Sequence, residues 1–328
     1  MSNAHEETEE YAAPPRDKTG AYDGAPFTLF VTVACVLVFI GEVWLSLVVH
    51  EMDWSQLASI VFGISPGVAL TFGANNATST LYEGRIDTLV ASCFVHYGLL
   101  HLLFNLYAIR QVGPFLEHEV GTGRTSVLYV GSGIVGSMVS ALYYGWYAQS
   151  QAVGAGASGA VCGLIGGAFI VGFRTQGWRS PLMMMMGIWL IITFVLGSRN
   201  DIAFIDNAAH GGGAVAGALI ATVWRRGAEP TILRRISTSV AVAVVVAAAI
   251  AVVYFDFTRP FATMDVRQRL AFAQQAVHLG ACDEAWAAVR TARRTTPRAP
   301  EVLQTVQYVR AHCGHDPHVP LDGSGASR

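Results

Sequence analysis

The sequence predicts an all-α polytopic membrane protein, a bundle of seven membrane-spanning helices with a small helical extramembrane tail at its C-terminal end. Three observations predict it. Charged residues make up only 13% of the 328 and hydrophobic ones 52%, where soluble domains average about 25% charged. Seven apolar runs, about 27–49, 89–109, 125–147, 154–173, 181–197, 207–224 and 236–255, approach the ~20 residues that a bilayer core requires. Beyond them, residues 257–328 turn polar, with apolar side chains recurring at helical spacing. The net charge of −2 singles out no class of partner, and nothing in the chain points to nucleic acid.

The first 26 residues, "MSNAHEETEEYAAPPRDKTGAYDGAP", are acidic and proline-bearing and lack the basic start of a cleaved leader. They read as a disordered tail before a retained first span. Orientation follows from the arginines. With the N-terminus inside, inner loops hold Arg110, Arg124, Arg174, Arg179, Arg225, Arg226, Arg234 and Arg235, and outer loops hold only Arg85 and Arg199. That asymmetry places the N-terminus in the cytoplasm, and seven spans then place the C-terminus outside. Lys18 is the lone lysine among twenty arginines, a bias ascribed to a GC-rich bacterial genome and hence to a bacterial plasma membrane. Residues 50–88 are too long for a simple turn. The apolar stretch "MDWSQLASIVFGISPGVALTFG" within them, broken by Pro66 and glycines, is expected to lie at the interface or beside the bundle.

Polar residues inside spans are costly and point to function. The second span holds His96, His101 and Asn105, the fourth Ser158 and the sixth His210. His101 and Asn105 are four residues apart and share a helix face. His96 precedes His101 by five residues and falls roughly 140° away around a helix. A metal pair on one helix needs the four-residue spacing, so no metal and no other cofactor is expected.

The fourth span opens "VGAGASGAVCGLIGGAFIVGF", with seven glycines. Gly159, Gly163 and Gly167 recur every four residues there, as Gly213 and Gly217 do in the sixth span, on the face that carries His210. Small residues so spaced let two backbones approach closely, and a glycine-to-glycine contact would bring Ser158 to His210 near the outer membrane face. The alternative is that the glycines serve packing alone and Ser158 is one more small residue. Depth favours the first reading. A helix from Ser158 to Phe173 is ~24 Å long at 1.5 Å per residue, short of the ~30 Å core. Irregular backbone in "AVGAGA" would fill the remainder, which is tolerated only inside protein or beside a water-filled cavity. Ser158 would then stand at a helix N-terminus whose unpaired N–H groups suit an oxyanion.

These residues resemble the rhomboid intramembrane serine proteases. The family's serine motif, glycine-x-serine-glycine, stands as Gly156-Ala157-Ser158-Gly159. Its histidine motif stands as Ala209-His210-Gly211-Gly212-Gly213-Ala214-Val215-Ala216-Gly217, and its second-span pattern as His96, His101 and Asn105. "FGANNA", 72–77, is similar to the start of the family's long first loop, and the likeness covers about residues 27–225. The resemblance implies a dyad in which Ser158 is the nucleophile and His210 its base, with the oxyanion held by the Ser158 N–H, His101 and Asn105. It implies structural support from His96, Gly156, Gly159, Gly213 and Gly217. From it together with the composition and periodicity, four segments are expected: a disordered cytoplasmic tail 1–26, a seven-span protease domain 27–256, a soluble tetratricopeptide-like tail 257–314 and a disordered end 315–328. The substrate would be a transmembrane protein in the lipid bilayer, cut near the outer face at a small residue close to a helix-breaking stretch.

The residue types suit that chemistry, since serine is a weak nucleophile that needs an adjacent base and neutral imidazole avoids a permanent charge in lipid. Two departures stand out. Glu83-Gly84-Arg85 has glycine where the family often has tryptophan, and Cys162 stands four residues after the serine, where an aromatic commonly packs on the histidine. A pseudoprotease that binds membrane helices without cutting them is the alternative function, although such proteins usually lose the serine or the histidine. A transporter or channel would predict an inverted repeat and charged pathway residues, and neither is visible.

In the tail, Gly280 and Pro297 punctuate three helical patterns, similar to one tetratricopeptide-type repeat plus a helix, a surface suited to a protein partner. Cys282 opens the second pattern and Cys313 closes the third. Adjacent antiparallel helices would bring the two sulfurs together, and an oxidising compartment would keep them bridged, the alternative being two free thiols. Cys35, Cys93 and Cys162 lie in spans and are expected to be buried, inert thiols.

Overall fold

The computed structural model describes residues 24–49, 57–148, 152–175, 181–197, 205–224, 230–258, 266–295 and 299–317. The first long helix, α1 (Pro26–Val49), starts on a proline, whose missing N–H costs nothing in a first turn. Short pieces follow: α2 (Leu57–Phe62), α3 (Pro66–Thr71), a strand pair-member β1 (Asn75–Asn76), one π-helical turn at 78–82 and α4 (Thr88–Ala91). The long helices α5 (Leu99–Val120) and α6 (Thr122–Leu142) come next, then β2 (Val153–Gly154) and α7 (Ser158–Thr175). After them come α8 (Pro181–Gly197), α9 (Asn207–Thr222) and α10 (Thr231–Thr258). Among the described residues, four stretches are long and apolar enough to cross a membrane by length and composition: Pro26–Val48, Thr122–Tyr147, Ser158–Thr175 and Thr231–Asp256. Helices α5, α8 and α9 are more charged or shorter.

The second span differs from its expected limits. No helix runs through 89–109; α4 ends at Ala91, residues 92–98 are irregular, and the long helix starts at Leu99. His96 therefore precedes the helix, and the angular argument that turned it away from His101 does not apply. The two rings lie 5.3 Å apart, edge to face. A Cβ on Gly98 at the start of α5 would crowd the backbone of Val61, Phe62 and Gly63 at 3.0–3.1 Å.

Helices α6, α7 and α9 form the centre. A Cβ on Gly213 would overlap the carbonyl oxygen of Gly159, and one on Gly217 that of Gly163, so the α7–α9 crossing requires hydrogen at both positions. Gly163 also faces Ser132 of α6, and Gly136 of α6 faces the Ala209 carbonyl oxygen at 2.7 Å from an added Cβ. The stripe is not uniform, because Gly167 turns to Leu128 of α6 while Gly166 meets Ala214 of α9. Helix α9 is secured at both ends. Asp206 caps its N-terminus, accepting from the Ala209 N–H at 2.9 Å, and Arg174 donates to the carbonyls of Ala221, Thr222 and Trp224 at 3.0–3.2 Å. Helix α1 is pinned to α5 where Glu117, 5% exposed, accepts from the backbone and hydroxyl of Thr28, each at 2.7 Å.

Three further helices, α11 (Val266–His278), α12 (Cys282–Thr295) and α13 (Pro300–Cys313), have their own core around Ala273, Ala276, Trp286, Val289 and Val309. Gly280 turns α11 into α12 with φ +72°, and Cys282 is bridged to Cys313. Pro297 and residues 1–23 and 318–328, on which other expectations fall, lie outside the described residues. One expected boundary moves. Asp316, assigned to a disordered end, is 6% exposed and pairs with Arg290 of α12 at 2.5 Å. Cys35, Cys93 and Cys162 are buried free thiols.

The crossing gives a test with an internal control. Gly217→Val should prevent folding or sharply lower the Tm in detergent. Gly187→Ala in α8, where an added Cβ meets nothing within 4 Å, should leave Tm unchanged or raise it through helix propensity, worth up to about 1 kcal/mol. Equal Tm values for the two variants would contradict the packing described.

Candidate active site

The site begins with irregular backbone held inside protein. Residues 152–157 precede α7 and Ala157 is fully buried, so their backbone groups need partners. Asn75 pairs with Gly154 and Asn76 with Val153 in an antiparallel bridge. The Asn76 amide donates to the Ala152 carbonyl at 3.2 Å, the Tyr97 hydroxyl to the Val153 carbonyl, and the Gly156 N–H to the Ser92 carbonyl at 2.9 Å. The Ala157 N–H reaches toward His96 Nε2 at 3.5 Å. Helix α7 begins at Ser158, as expected, and the backbone before it is not helical.

Gly156 has φ +125°, and a Cβ there would lie 2.6 Å from His101 Cε1, 2.8 Å from its Nε2 and 3.5 Å from Ser158 Oγ. Both the backbone conformation and the space exclude a side chain. Ser158 opens α7, and its Oγ lies 2.7 Å from His210 Nε2 on α9. His210 is 3% exposed, and among the described residues its Nδ1 has no hydrogen-bond partner. His101 stacks on Tyr97 with ring centroids 6.1 Å apart. Asn105, 5% exposed, lies one turn further along α5 and donates its amide to the His101 carbonyl at 2.9 Å. The structure thus brings Ser158, His210, His101, His96, Gly156, Gly159 and Gly213 together. It leaves Asn105 a turn away, and Gly217 deeper along the crossing. Cys162, 4% exposed, lies one turn below Ser158. Among the described residues no group of three or more His, Cys, Asp or Glu could hold a metal ion.

This arrangement can do one kind of chemistry readily. A hydroxyl in contact with an imidazole, at the start of a helix, where N–H groups lack intrahelical partners, can attack a carbonyl and stabilise the resulting oxyanion.

A sequence profile of the Rhomboid domain matches residues 83–227. The chain is 32% identical over 205 residues to "Rhomboid protease GlpG" of Yersinia pestis, covering 60% of this chain and 62% of that one. The chain carries a Rhomboid domain. It is also 36% identical over 138 residues to "RHOMBOID-like protein 5" of Arabidopsis thaliana, covering 41% of this chain and 43% of the relative. With "Rhomboid protease GluP" of Bacillus subtilis it shares 31% over 150 residues, 45% of this chain and 28% of the relative. In each of these the chain covers less than two thirds of the relative's own length. The rhomboid domain and the apolar helices make this a multi-pass membrane protein.

Sequence reasoning missed several residues that build the site. Glu42 stands in plain view within the first apolar run, yet is absent from the intramembrane polar residues the sequence singled out. It is fully buried, and its two oxygens accept from the His96 N–H at 3.3 and 3.2 Å. Asp206 carries a cap signature, one acidic residue just before a helix. Besides Ala209 it accepts from the Ser140 hydroxyl of α6, and burial raises its carboxyl above the ordinary carboxylate range despite these bonds. Asn75 donates to the Ser137 carbonyl at 2.7 Å, a tertiary contact with no local signal.

Glu42 is a testable support. Glu42→Gln keeps an acceptor for the His96 N–H, whereas Glu42→Leu leaves that donor buried and unsatisfied at a cost of ~1–3 kcal/mol. Amide exchange over residues 92–98 should accelerate in the leucine variant and stay near wild type in the glutamine variant. Indistinguishable exchange in the two would remove Glu42 from the site's framework.

Proposed function

We propose that this rhomboid is an intramembrane serine endopeptidase that cleaves transmembrane-protein substrates near the outer membrane face through a Ser158–His210 dyad. The observation that carries the reading is the 2.7 Å contact between Ser158 Oγ and His210 Nε2, at the mouth of a helix and among buried residues. Ser158 Oγ attacks the scissile carbonyl carbon and His210 Nε2 takes its proton. The oxyanion so formed is held by the Ser158 N–H and by His101 and Asn105, the asparagine having a second amide hydrogen beyond the one on its own helix. Collapse breaks the peptide bond, with the proton passing from His210 to the leaving nitrogen, and leaves an acyl-enzyme on Ser158. Water, deprotonated by His210, then attacks the acyl carbon; the bond to Ser158 Oγ breaks, Oγ takes the proton back from His210, and the second product leaves as the acid. The His210 Nδ1, without a hydrogen-bond partner among the described residues, suits a dyad that works without a carboxylate orienting the histidine, unlike the three-membered arrangement.

The same reading includes seven spans, a cytoplasmic N-terminus, an outer C-terminus, a bacterial plasma membrane and four segments, divided after residues 26 and 256 and, because Asp316 pairs with Arg290, beyond residue 316. Parity supports the count. Glu83, in the segment between α1 and α5, contacts Arg269 of α11, so the two lie on one side of the bilayer. The six helices α5 to α10 between them must then cross an even number of times. The Cys282–Cys313 bridge suits the oxidising side. The competing function is that of a pseudoprotease holding membrane helices intact, against which the intact Ser158–His210 contact speaks.

Purified protein decides between them. Wild type should cleave a single-span reporter and be labelled at Ser158 by a fluorophosphonate. Ser158→Ala and His210→Ala should each abolish both while retaining the wild-type Tm. Normal turnover by Ser158→Ala would refute the assignment, and a wild type that binds the reporter without cutting it would establish the pseudoprotease instead. His101→Ala or Asn105→Ala should lower kcat by about 10²–10³ with little change in KM; a rise in KM alone would remove them from the oxyanion site.

A further inference from the structure

The C-terminal helices meet the bundle through a charge pair. Arg269 of α11 places Nη1 2.9 Å from Glu83 Oε1, with side chains 2% and 10% exposed. Desolvating two charges is expensive, so a pair this dry is weak as a source of stability, and its attested use is to hold a register, since either charge alone would be buried unpaired. The loop it reaches is itself anchored. Gly84 turns with φ +72°. Arg85, 1% exposed, then holds Asp87 through Nε and Nη2 at 3.0 and 2.8 Å, and its guanidinium lies 4.8 Å over the Phe255 ring of α10.

From Arg85 a run of buried hydrogen bonds leads to the serine. The Thr88 hydroxyl donates to the Arg85 carbonyl at 2.7 Å and lies 2.8 Å from the Thr80 hydroxyl, which contacts Asn75 Oδ1 at 2.7 Å. Asn75 pairs with Gly154 in the β1–β2 bridge, four residues before Ser158. The other end of the run is equally fixed. Helix α11 is seated by Leu270 against Ala292 and Val302, and by Ala273 and Ala276 against α12 and α13, whose ends the Cys282–Cys313 disulfide joins.

We infer that Arg269 is a positioning residue: through Glu83, the C-terminal helices hold the first loop in the register that β1 imposes on the backbone leading to Ser158. The tail is then part of the site's scaffold. The kinetic readout of this inference rests on the protease reading above, and the experiment keeps the two apart. Glu83→Gln, Arg269→Gln, the double variant and Arg269→Lys are compared with wild type in proteoliposomes carrying a single-span reporter. Arg269→Gln should lower kcat about tenfold, with KM within about twofold, and Glu83→Gln should match it. The double variant should be no slower than either single, the mark of a shared interaction, and Arg269→Lys should recover most of the rate. An unchanged kcat in Arg269→Gln, or a double variant slowed by the product of the singles, overturns the inference. So does a rate that only tracks falling Tm across all four variants, lysine included, because that assigns Arg269 to folding alone. If wild type does not cleave, the protease reading fails by itself. The inference is then decided by hydrogen exchange: Arg269→Gln must speed exchange of the amides at 75–76 and 153–157, and unchanged exchange there overturns it.

Discussion

The contact on which the structure depends is the backbone-to-backbone crossing of α7 and α9. Hydrogen at Gly213 and Gly217 lets α9 approach the carbonyls of Gly159 and Gly163 more closely than any Cβ allows. In lipid no hydrophobic force drives helices together, so close packing has to hold them. The same approach decides the site. Ser158 stands one residue before Gly159 and His210 three before Gly213, so the depth of the crossing sets the distance between their side chains. A wider crossing would separate hydroxyl from imidazole, whatever the two residues were.

A second constraint is the cost of irregular backbone at membrane depth. Beginning α7 at Ser158 leaves residues 152–157 without helical hydrogen bonds, and every one of their polar groups must be met from elsewhere. The first loop meets several through β1, Asn76 and Tyr97, and the segment 92–98 meets others through Ser92 and His96. Glu42 in turn holds His96 from α1. The segment before the serine is therefore shaped by three separate parts of the chain. Asp206 and Arg174 fix α9 at its two ends, so the histidine side of the site does not slide against the serine side.

The departures from the usual family pattern are absorbed locally. Gly84, where the family often carries tryptophan, adopts a left-handed conformation that tryptophan would resist, and Arg85 beside it is held by Asp87 and Phe255 instead. Cys162 offers His210 no aromatic face, yet His210 is still 3% exposed, because the crossing itself covers it.

The sequence by itself determined the apolar helices, the serine at a helix start, the glycine spacings and the histidine on the same face as its glycines. These follow from composition and from the 3.6-residue period, which act along a single segment. It made a Cys282–Cys313 bridge one of two open readings, since a helical hairpin returns its ends to each other, and the folded chain decided for the bridge. Only the tertiary structure decided where the second long helix begins, because the irregular stretch 92–98 is as apolar as a helix and is fixed by Glu42, Tyr129 and the Ser158 segment. Only it showed that Gly167 faces α6 while Gly166 faces α9, a matter of helix rotation that a four-residue repeat does not specify. And only it joined Glu83 to Arg269, Asn75 to Ser137, and Asp206 to Ser140. Such pairings span 62 to 186 positions of chain, and they depend on the folded path between their members, which no local pattern of residues encodes.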